Sequence, residues 1–236
     1  MHRCPLEFDA ARTAHVARSD DMVHEKALNV ADIRGLLTPF GIEPNHAQCV
    51  QIRQYVELLL LWNKRFNLTS IVDPQEIVTR HFGESMFLCT LLPVENCRLA
   101  DVGSGAGFPG LAIKLIRPSV WATLIESSQK KCAFLSEVVR KLSISPVEIS
   151  QGRFEDLRIP TRSKELLIAR AIGGWLRLLG WANRVITPNG HVALWVGEQD
   201  SIKISRTPGW VWDPPVRIPE SQRRFLLVGS HLEKFA

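Results

Sequence analysis

The sequence has few cysteines and no long apolar run. Its 236 residues include five cysteines, an odd number, and no two of them are spaced as C-x-x-C. A disulfide framework or a zinc site is therefore not expected, and reduced thiols in a cytoplasm fit better. The apolar run over residues 58–62 is far shorter than the roughly 20 residues that cross a bilayer. Neither a metal site nor a membrane span is expected.

The sequence also lacks a strong excess of one charge and a recognisable leader. Its 29 Lys and Arg against 24 Asp and Glu give a net charge of +5, which permits a polyanionic partner without requiring one. Residues 1–30 contain no apolar segment of the kind found in signal peptides. With 45% apolar and 22% charged residues, the composition is typical of a soluble globular protein, and the expected location is cytoplasmic.

The spacing of apolar residues changes near residue 97. Residues 1–28 show little periodicity and are predicted to be a tail of uncertain structure. Residues 29–96 have helical spacing and form a predicted N-terminal helical section. Over 97–236, short apolar runs alternate with helical segments, which is typical of βαβ units. The predicted fold class is α/β, with a Rossmann-type parallel sheet and a helical extension before it.

Capping and turn residues predict the element boundaries. In the helical section Gly41 ends one helix, Pro44 opens a second, and Asp73 caps a third that runs towards Leu91. Residues 188–190 (Pro-Asn-Gly) predict a turn before the fifth strand. Strands are predicted near 98–103, 120–126, 146–150, 165–170 and 191–197, helices near 107–117, 129–142 and 174–187, and an edge hairpin over 209–217 and 223–230.

The most informative stretch is the glycine-rich turn over residues 101–110, which follows a predicted strand and opens a helix. Glycines here allow a tight turn and a close approach of a ligand to the backbone. The spacing is G-x-G-x-G, and Phe108 stands where a dinucleotide fingerprint has its third glycine. Asp101, at the strand end, suits a cationic ligand better than a pyrophosphate. These features favour S-adenosylmethionine over NAD, although a glycine turn without a ligand is the alternative.

A second carboxylate follows at the end of the next predicted strand. Glu126 ends the run Trp121–Glu126, where an acid can accept hydrogen bonds from both ribose hydroxyls of a nucleoside. Taken alone, an acid at this place is more often an ordinary solvated side chain, and the glycine turn upstream is what favours the ribose role. It also does not separate S-adenosylmethionine from NAD, because both contain ribose.

With the stretch Trp62–Thr69, the glycine turn and the pair Arg170-Ala171, the chain resembles a known family, the glucose-inhibited division protein B family of bacterial methyltransferases. Its members modify N7 of a guanine in 16S ribosomal RNA. The resemblance covers about residues 55 to 230. It rests on the specific stretch Trp62–Thr69 (WNKRFNLT), on the glycine turn, and on further short matches at Arg80-His81, Glu126-Ser127, Lys130-Lys131, Phe134-Leu135, Gln151-Gly152-Arg153 with Glu155, and Arg170-Ala171.

The resemblance implies that residues 97–236 form an S-adenosylmethionine-binding methyltransferase domain. It also implies a cofactor pocket along the glycine turn, at the end of the second strand and near the adenine. The implied cofactor-binding residues are Asp101, Gly103, Ser104, Gly105, Gly107, Phe108, Glu126, Ser127, Arg153, Phe154, Glu155 and Arg170.

The same resemblance implies that Asn67, Arg80, His81 and Arg170 form the catalytic, acceptor-facing side. Each has a simpler alternative. Asn67 could close a helix, Arg80 could be a solvated cation, His81 could be a hydrogen-bonded structural histidine, and Arg170 could pair with an acid. The expected partner is 16S ribosomal RNA or a precursor of the small ribosomal subunit, and the expected oligomeric state is a monomer.

The chain departs from the family at two places. Val196 stands where the family usually has lysine before a glycine, and the basic cluster at Lys130-Lys131 has fewer arginines. Both positions concern the RNA or the acceptor rather than the cofactor. Two alternative functions therefore stay open: a methyltransferase for another acceptor, and a catalytically silent RNA-binding module that keeps the nucleoside pocket.

Overall fold

The computed structural model describes residues 28–171 and 173–231. The predicted tail over 1–28 lies outside the described residues, apart from Leu28, which is buried in the hydrophobic core. None of the helices within the described ranges is long and apolar enough to span a membrane.

The first two helices begin at capping boxes. Helix α1 (Val30–Leu37) starts after Asn29, and Gly41 follows the short 3-10 turn that ends it, with a φ of 69°. Helix α2 (His46–Phe66) starts after Asn45, whose side chain accepts a hydrogen bond from the backbone N–H of Gln48. The predicted start at Pro44 is therefore two residues early, because Asn45 provides the cap.

The third helical segment, α3, begins where it was predicted but is not one regular helix. The Asp73 carboxylate accepts from the backbone N–H of Glu76 at 2.7 Å, as an N-cap does. The segment comprises Pro74–Glu76, Ile77–Gly83, Glu84–Met86 and Leu88–Leu91, and the stretch Ile77–Gly83 is π-helical. Such π-helical turns are often found at functional sites, and this one carries Arg80 and His81.

From residue 98 onward, the described residues form an eight-stranded sheet with helices on both faces. The strands are β1 (Arg98–Val102), β2 (Trp121–Glu126), β3 (Val147–Gln151), β4 (Lys164–Arg170), β5 (Ile186–Gly197), β6 (Trp210–Trp212), β7 (Val216–Arg217) and β8 (Arg224–His231). The helices are α4 (Gly110–Ile116), α5 (Gln129–Lys141), α6 (Trp175–Val185) and α7 (Glu198–Ile204). The predicted α/β class is confirmed.

The strand order is β3-β2-β1-β4-β5-β8-β6, with β7 also paired to β8. Strands β1 to β5 are parallel, and β8 runs antiparallel to β5. The order reverses between β1 and β4, and ligands of such sheets bind outside the carboxyl ends of the strands at that switch point.

Three predictions about these elements need correction. Strand β5 begins at Ile186 rather than 191, so the predicted Pro188-Asn189-Gly190 turn lies within the strand, where the register with β4 is irregular between Lys164 and Leu166. The two terminal stretches complete the sheet, but β8 lies inside it, between β5 and the edge strand β6. Helix α4 begins at Gly110 instead of 107, because the glycine turn extends to Pro109.

The helical section shares its core with one face of the sheet. A single hydrophobic cluster includes Ile52 and Tyr55 of α2, Phe82 of α3, Leu124 of β2 and Val228 of β8. A second cluster lies on the other face, under α6 and α7. The helical section is therefore packed into the same core as the sheet.

Candidate functional site

The glycine turn leads from β1 into α4 in a left-handed conformation. Gly103, Gly105 and Gly107 have φ values of 74°, 59° and 85°. A Cβ on Gly103 would meet nothing within 4 Å, whereas a Cβ on Gly107 would overlap the Tyr55 hydroxyl and approach Leu111 to 2.9 Å. Gly103 therefore faces open space where a ligand can approach the backbone, and Gly107 faces the core.

An open cleft of about 310 Å³ lies at the carboxyl ends of β1 and β2. Glu126 forms its floor and is only 6% exposed. One carboxylate oxygen accepts from the backbone N–H of Gly105 at 2.9 Å, and the other accepts from that of Ser128 at 2.8 Å. A carboxylate has about four lone-pair positions, so it can still accept from two ligand hydroxyls.

The cleft brings together six of the predicted cofactor-binding residues, Gly103, Glu126, Ser127, Arg153, Phe154 and Glu155. Four neighbours complete it that were not predicted, Val102, Ile125, Gly152 and Gly173. Phe154 is half-buried against Trp181, with ring centroids 5.4 Å apart, so it offers a fixed aromatic wall. A glycine cradle, a carboxylate and an aromatic wall suit a nucleoside.

Asp101 does not line this cleft. Its side chain is fully buried, and one oxygen accepts from the backbone N–H of Gly110 at 3.0 Å. The other oxygen has no hydrogen-bond partner among the described residues. Burial, with a smaller contribution from the nearby charge of Glu126, raises the pKa of Asp101 to about 7, although the hydrogen bonds from Gly110 and Ser104 oppose the shift. The hydrogen bond to Gly110 turns the carboxylate towards the start of α4, under the turn.

Three other predicted cofactor-binding residues, Ser104, Gly107 and Phe108, belong to the turn but face the protein core instead of the cleft. The buried Ser104 hydroxyl donates to the carbonyl of Asp101 at 3.0 Å. Phe108 is 7% exposed and stacks between His81, at 4.7 Å between ring centroids, and Tyr55, at 5.4 Å. These residues fix the shape of the turn from beneath.

Arg170, at the end of β4, belongs to a buried ionic cluster. Its guanidinium donates to the carbonyl of Arg80 at 2.9 Å and to the carboxylate of Glu84 at 3.1 Å. Arg224 of β8 binds the other oxygen of Glu84 at 2.5 Å. The Glu84 side chain is 2% exposed; burial raises its pKa, and both guanidiniums oppose that shift. Glu84 thus links α3 to β4 and β8.

The remaining predicted catalytic residues lie on the helical section. Arg80 forms an ion pair with Glu76. His81 shares a 2.8 Å hydrogen bond between Nε2 and the Thr69 hydroxyl. Burial, followed by the charges of Arg170, Arg80 and Arg224, lowers the pKa of His81 to about 3, so it is neutral at physiological pH. Asn67 is exposed and closes α2 in a left-handed conformation, with a φ of 49°.

Sequence reasoning did not single out Tyr55 or Glu84. The buried Tyr55 hydroxyl donates to the carbonyl of Ala106 at 2.7 Å, so it ties α2 to the glycine turn. The sequence places Tyr55 on the apolar face of α2, which indicates that it is buried but not what it contacts. Nothing in the sequence indicates a role for Glu84, because a lone acid in a helix is usually solvated.

Among solved structures, the fold is shared with a SAM-dependent methyltransferase from Aquifex aeolicus. The TM-score is 0.59 at 17% identity, over 70% of this chain and 97% of that one. The fold and the cleft at its switch point define the class of Rossmann-type α/β proteins. Within it, the family model GidB, rRNA small subunit methyltransferase G, matches residues 48–209, and the chain belongs to that family.

Curated relatives agree with the family assignment. The ribosomal RNA small subunit methyltransferase G of Photobacterium profundum is 31% identical over 196 residues, 82% of this chain and 94% of the relative. The protein of the same name from Roseiflexus castenholzii is 35% identical over 204 residues, 82% of this chain and 87% of the relative. The family resemblance, the enzyme class and the cofactor predicted from the sequence are confirmed.

Proposed function

We propose that the protein transfers a methyl group from S-adenosylmethionine to N7 of a guanine in 16S ribosomal RNA. The observation that carries this is that the cleft and the two arginines around the buried Glu84 lie at the same edge of the sheet, where the parallel strands end and the strand order reverses. The cleft suits the cofactor, and guanidinium groups suit RNA. The names of the curated relatives indicate RNA of the small ribosomal subunit as the substrate.

In this proposal the residues of the cleft hold the cofactor. Glu126 accepts from the ribose hydroxyls in addition to its two backbone partners, and Arg153, Phe154 and Glu155 surround the adenine. Gly103 and Gly105 let the ligand approach the backbone. Asp101 acts through the turn by its hydrogen bond to Gly110. When bound, S-adenosylmethionine supplies a methyl group on a positively charged sulfur.

The acceptor side needs positioning and no base. The lone pair of guanine N7 would form the new bond to the methyl carbon while the carbon–sulfur bond breaks and S-adenosylhomocysteine leaves. No proton is released, so a general base is unnecessary. Arg170, Arg80 and Asn67 hold and orient the nucleotide, and Arg170 is fixed in place by Glu84. The neutral His81, stacked on Phe108, links these residues to the glycine turn.

Cations at the ends of two helices suit the RNA backbone. Lys64 and Arg65 end α2, and Lys130 and Lys131 begin α5. The two groups meet where the Lys130 ammonium lies 5.7 Å from the centre of the Phe66 ring. Val196, where the family usually has lysine, packs against the second hydrophobic cluster and adds no charge. We propose that a cytoplasmic monomer uses this surface on the RNA or on a small-subunit precursor.

The test is methyl transfer by the purified protein with radiolabelled S-adenosylmethionine. Naked 16S ribosomal RNA and small ribosomal subunits serve as acceptors, and mass spectrometry locates the product. We expect 7-methylguanine in 16S RNA and a rate that falls steeply with salt, because phosphate contacts release counterions. Gly105→Asp is the control and should lose cofactor binding, since it places a carboxylate beside Glu126. Label in a protein or small molecule instead would contradict the proposal.

A further inference from the structure

Two aromatic side chains of the stretch Trp62–Thr69 have no role in the site described above. Phe66 ends α2 and is 37% exposed, and Trp62 lies about one helical turn before it, partly buried. Among the described residues, Phe66 and Trp121 are the two aromatic side chains that are exposed. Single exposed apolar side chains are common on protein surfaces, so the surroundings of Phe66 decide whether its ring has a task.

The Phe66 ring is held in place by a row of aromatic rings that begins in the core. Phe134 of α5 is fully buried, and its ring centroid lies 5.6 Å from that of Trp62. The Trp62 ring lies 5.3 Å from the Phe66 ring, with an angle of 40° between the two planes. Phe66 is the outermost ring of this row, so a flat ligand that packs on it finds a surface that is already ordered.

The surroundings of Phe66 are cationic. Four basic residues lie close to it in the two helices, Lys64, Arg65, Lys130 and Lys131. The stretches 62–67 and 127–131 contain these four cations and no acid. Within the described ranges none of the four forms an ion pair, whereas Arg53 of α2 and Arg140 of α5 pair with acids of their own helices. An ordered ring among unpaired cations suits single-stranded nucleic acid, whose bases stack and whose phosphates bind cations.

One face of the Phe66 ring carries an exchangeable group. The Lys130 ammonium lies over the ring, 5.7 Å from its centre, and the Lys130 side chain is exposed. A cation–π contact at an exposed site is weak, and the lysine stem is flexible. A base can therefore replace the ammonium on the ring, and the ammonium can then bind a phosphate of the same strand.

Phe66 is connected to both halves of the proposed site. The next residue, Asn67, is one of those proposed to hold the acceptor nucleotide. Across the contact with Phe66, Lys130 is three residues from Ser127, which lines the cofactor cleft. Because consecutive Cα atoms are only about 3.8 Å apart, the ring lies within reach of a nucleotide that flanks the acceptor.

We propose that Phe66 is a stacking platform for an RNA base that flanks the acceptor guanine, and that Lys130 binds the adjoining phosphate once this base covers the ring. Proteins commonly recognise the bases of RNA loops by stacking them on aromatic side chains. The proposal rests on the proposed function, because it names how the same site holds the RNA strand beside the reacting nucleotide.

The binding test measures the affinity of a 16S transcript for protein saturated with S-adenosylhomocysteine, by filter binding at several salt concentrations. Phe66→Leu should weaken binding by at least about 5-fold, as loss of a stacked base does, whereas Phe66→Tyr keeps the ring and should stay within about 2-fold of the wild type. Trp121→Leu is the matched control and should behave as the wild type, because Trp121 is an exposed aromatic at the amino end of β2.

The salt dependence distinguishes the ring from the cation. Phe66→Leu should leave the slope of log affinity against log salt unchanged, because a neutral ring releases no counterion. Lys130→Gln should lower that slope by about 1, the value for one phosphate contact. A short single-stranded RNA with one 2-aminopurine tests the stacking itself: its fluorescence should be quenched by the wild type and by Phe66→Tyr, and much less by Phe66→Leu.

The outcomes keep the two proposals separate. If Phe66→Leu loses RNA affinity and Phe66→Tyr keeps it, but the wild type methylates no ribosomal RNA, the proposed function fails and the platform stands as an RNA-binding surface. The platform is overturned, whatever the result of methyl transfer, if Phe66→Leu binds the transcript as tightly as the wild type, or if Phe66→Tyr or Trp121→Leu loses as much affinity as Phe66→Leu. Loss of S-adenosylhomocysteine affinity in Phe66→Leu would also overturn it, because the ring would then act on the cleft.

Discussion

At the scale of the residue, two glycines of the turn, Gly103 and Gly107, differ in what a side chain would meet there. Gly103 and Gly107 both need a left-handed backbone, but only Gly107 faces side chains, those of Tyr55 and Leu111. Gly103→Ala should cost about 1 kcal/mol of backbone strain, and it should weaken cofactor binding because the methyl enters the open cleft. Gly107→Ala should cost several-fold more in unfolding free energy, because the core must also shift. Urea unfolding and calorimetry compare the pair, and equal losses of stability would contradict this account.

The raised pKa of Asp101 predicts that the free energy of unfolding depends on pH. Its pKa is raised from 3.8 to about 7 in the folded protein. Between those values the folded state holds a proton that the unfolded state has lost, so this group makes the protein less stable as pH rises from 4 to 7. The total is at most about 4 kcal/mol. Urea unfolding of Asp101→Asn and the wild type at pH 5, 6, 7 and 8 should show the variant gaining relative stability up to pH 7 and little beyond. A constant difference would refute the raised pKa.

At the scale of the element, α3 is fastened to the sheet by Glu84. Its carboxylate binds Arg170 and Arg224, and its carbonyl accepts from the Trp195 indole N–H at 2.7 Å, so three strands meet this residue. Glu84→Gln should lower the free energy of unfolding by about 3 kcal/mol, since two guanidiniums lose a buried partner.

The matched control for Glu84 is Glu76→Gln on the same segment. Its ion pair with Arg80 is 43% exposed at Glu76 and 39% at Arg80, so the change should cost under about 1 kcal/mol. Both variants should be compared by urea unfolding and by salt-dependent RNA transfer. Equal stability of the two would show that the cluster contributes no more than a surface pair.

The elements were more predictable than the contacts between them. Caps at Asp73 and Gly41, and the strand rhythm from 98 onward, depend on neighbouring residues, so the sequence predicts them. The start of β5 was missed because pairing with β4 overrides the turn preference of Pro188 and Gly190. The cleft residues Glu126 and Arg153 were predicted from the strand ends and from the family resemblance. Glu84 and Tyr55 form hydrogen bonds with residues 86 and 51 positions away in the sequence, and no local pattern predicts such contacts.

At the scale of the whole molecule, the helical section and the sheet should unfold together. Buried side chains of α1, α2 and α3 belong to the same hydrophobic cluster as those of β1, β2 and β8. If either the helical section or the sheet unfolded alone, the buried side chains of that cluster would be exposed to water. Far-ultraviolet circular dichroism and tryptophan fluorescence should give one coincident urea transition. Two separated transitions would show that residues 29–96 and 97–236 are independent domains.

Tyr55 is a chemical reporter of the contact between α2 and the glycine turn, because it is the one tyrosine in the sequence. Its side chain is fully buried, and burial raises the pKa of its hydroxyl well above the usual value, with the Asp101 charge adding to the shift. Reagents that nitrate or iodinate phenolate should therefore leave the native protein unlabelled. Labelling would require the separation of α2 from the glycine turn, so the rate of labelling measures how often the two separate. Saturation of the turn with cofactor should slow nitration; rapid nitration of the folded protein would contradict the buried hydroxyl.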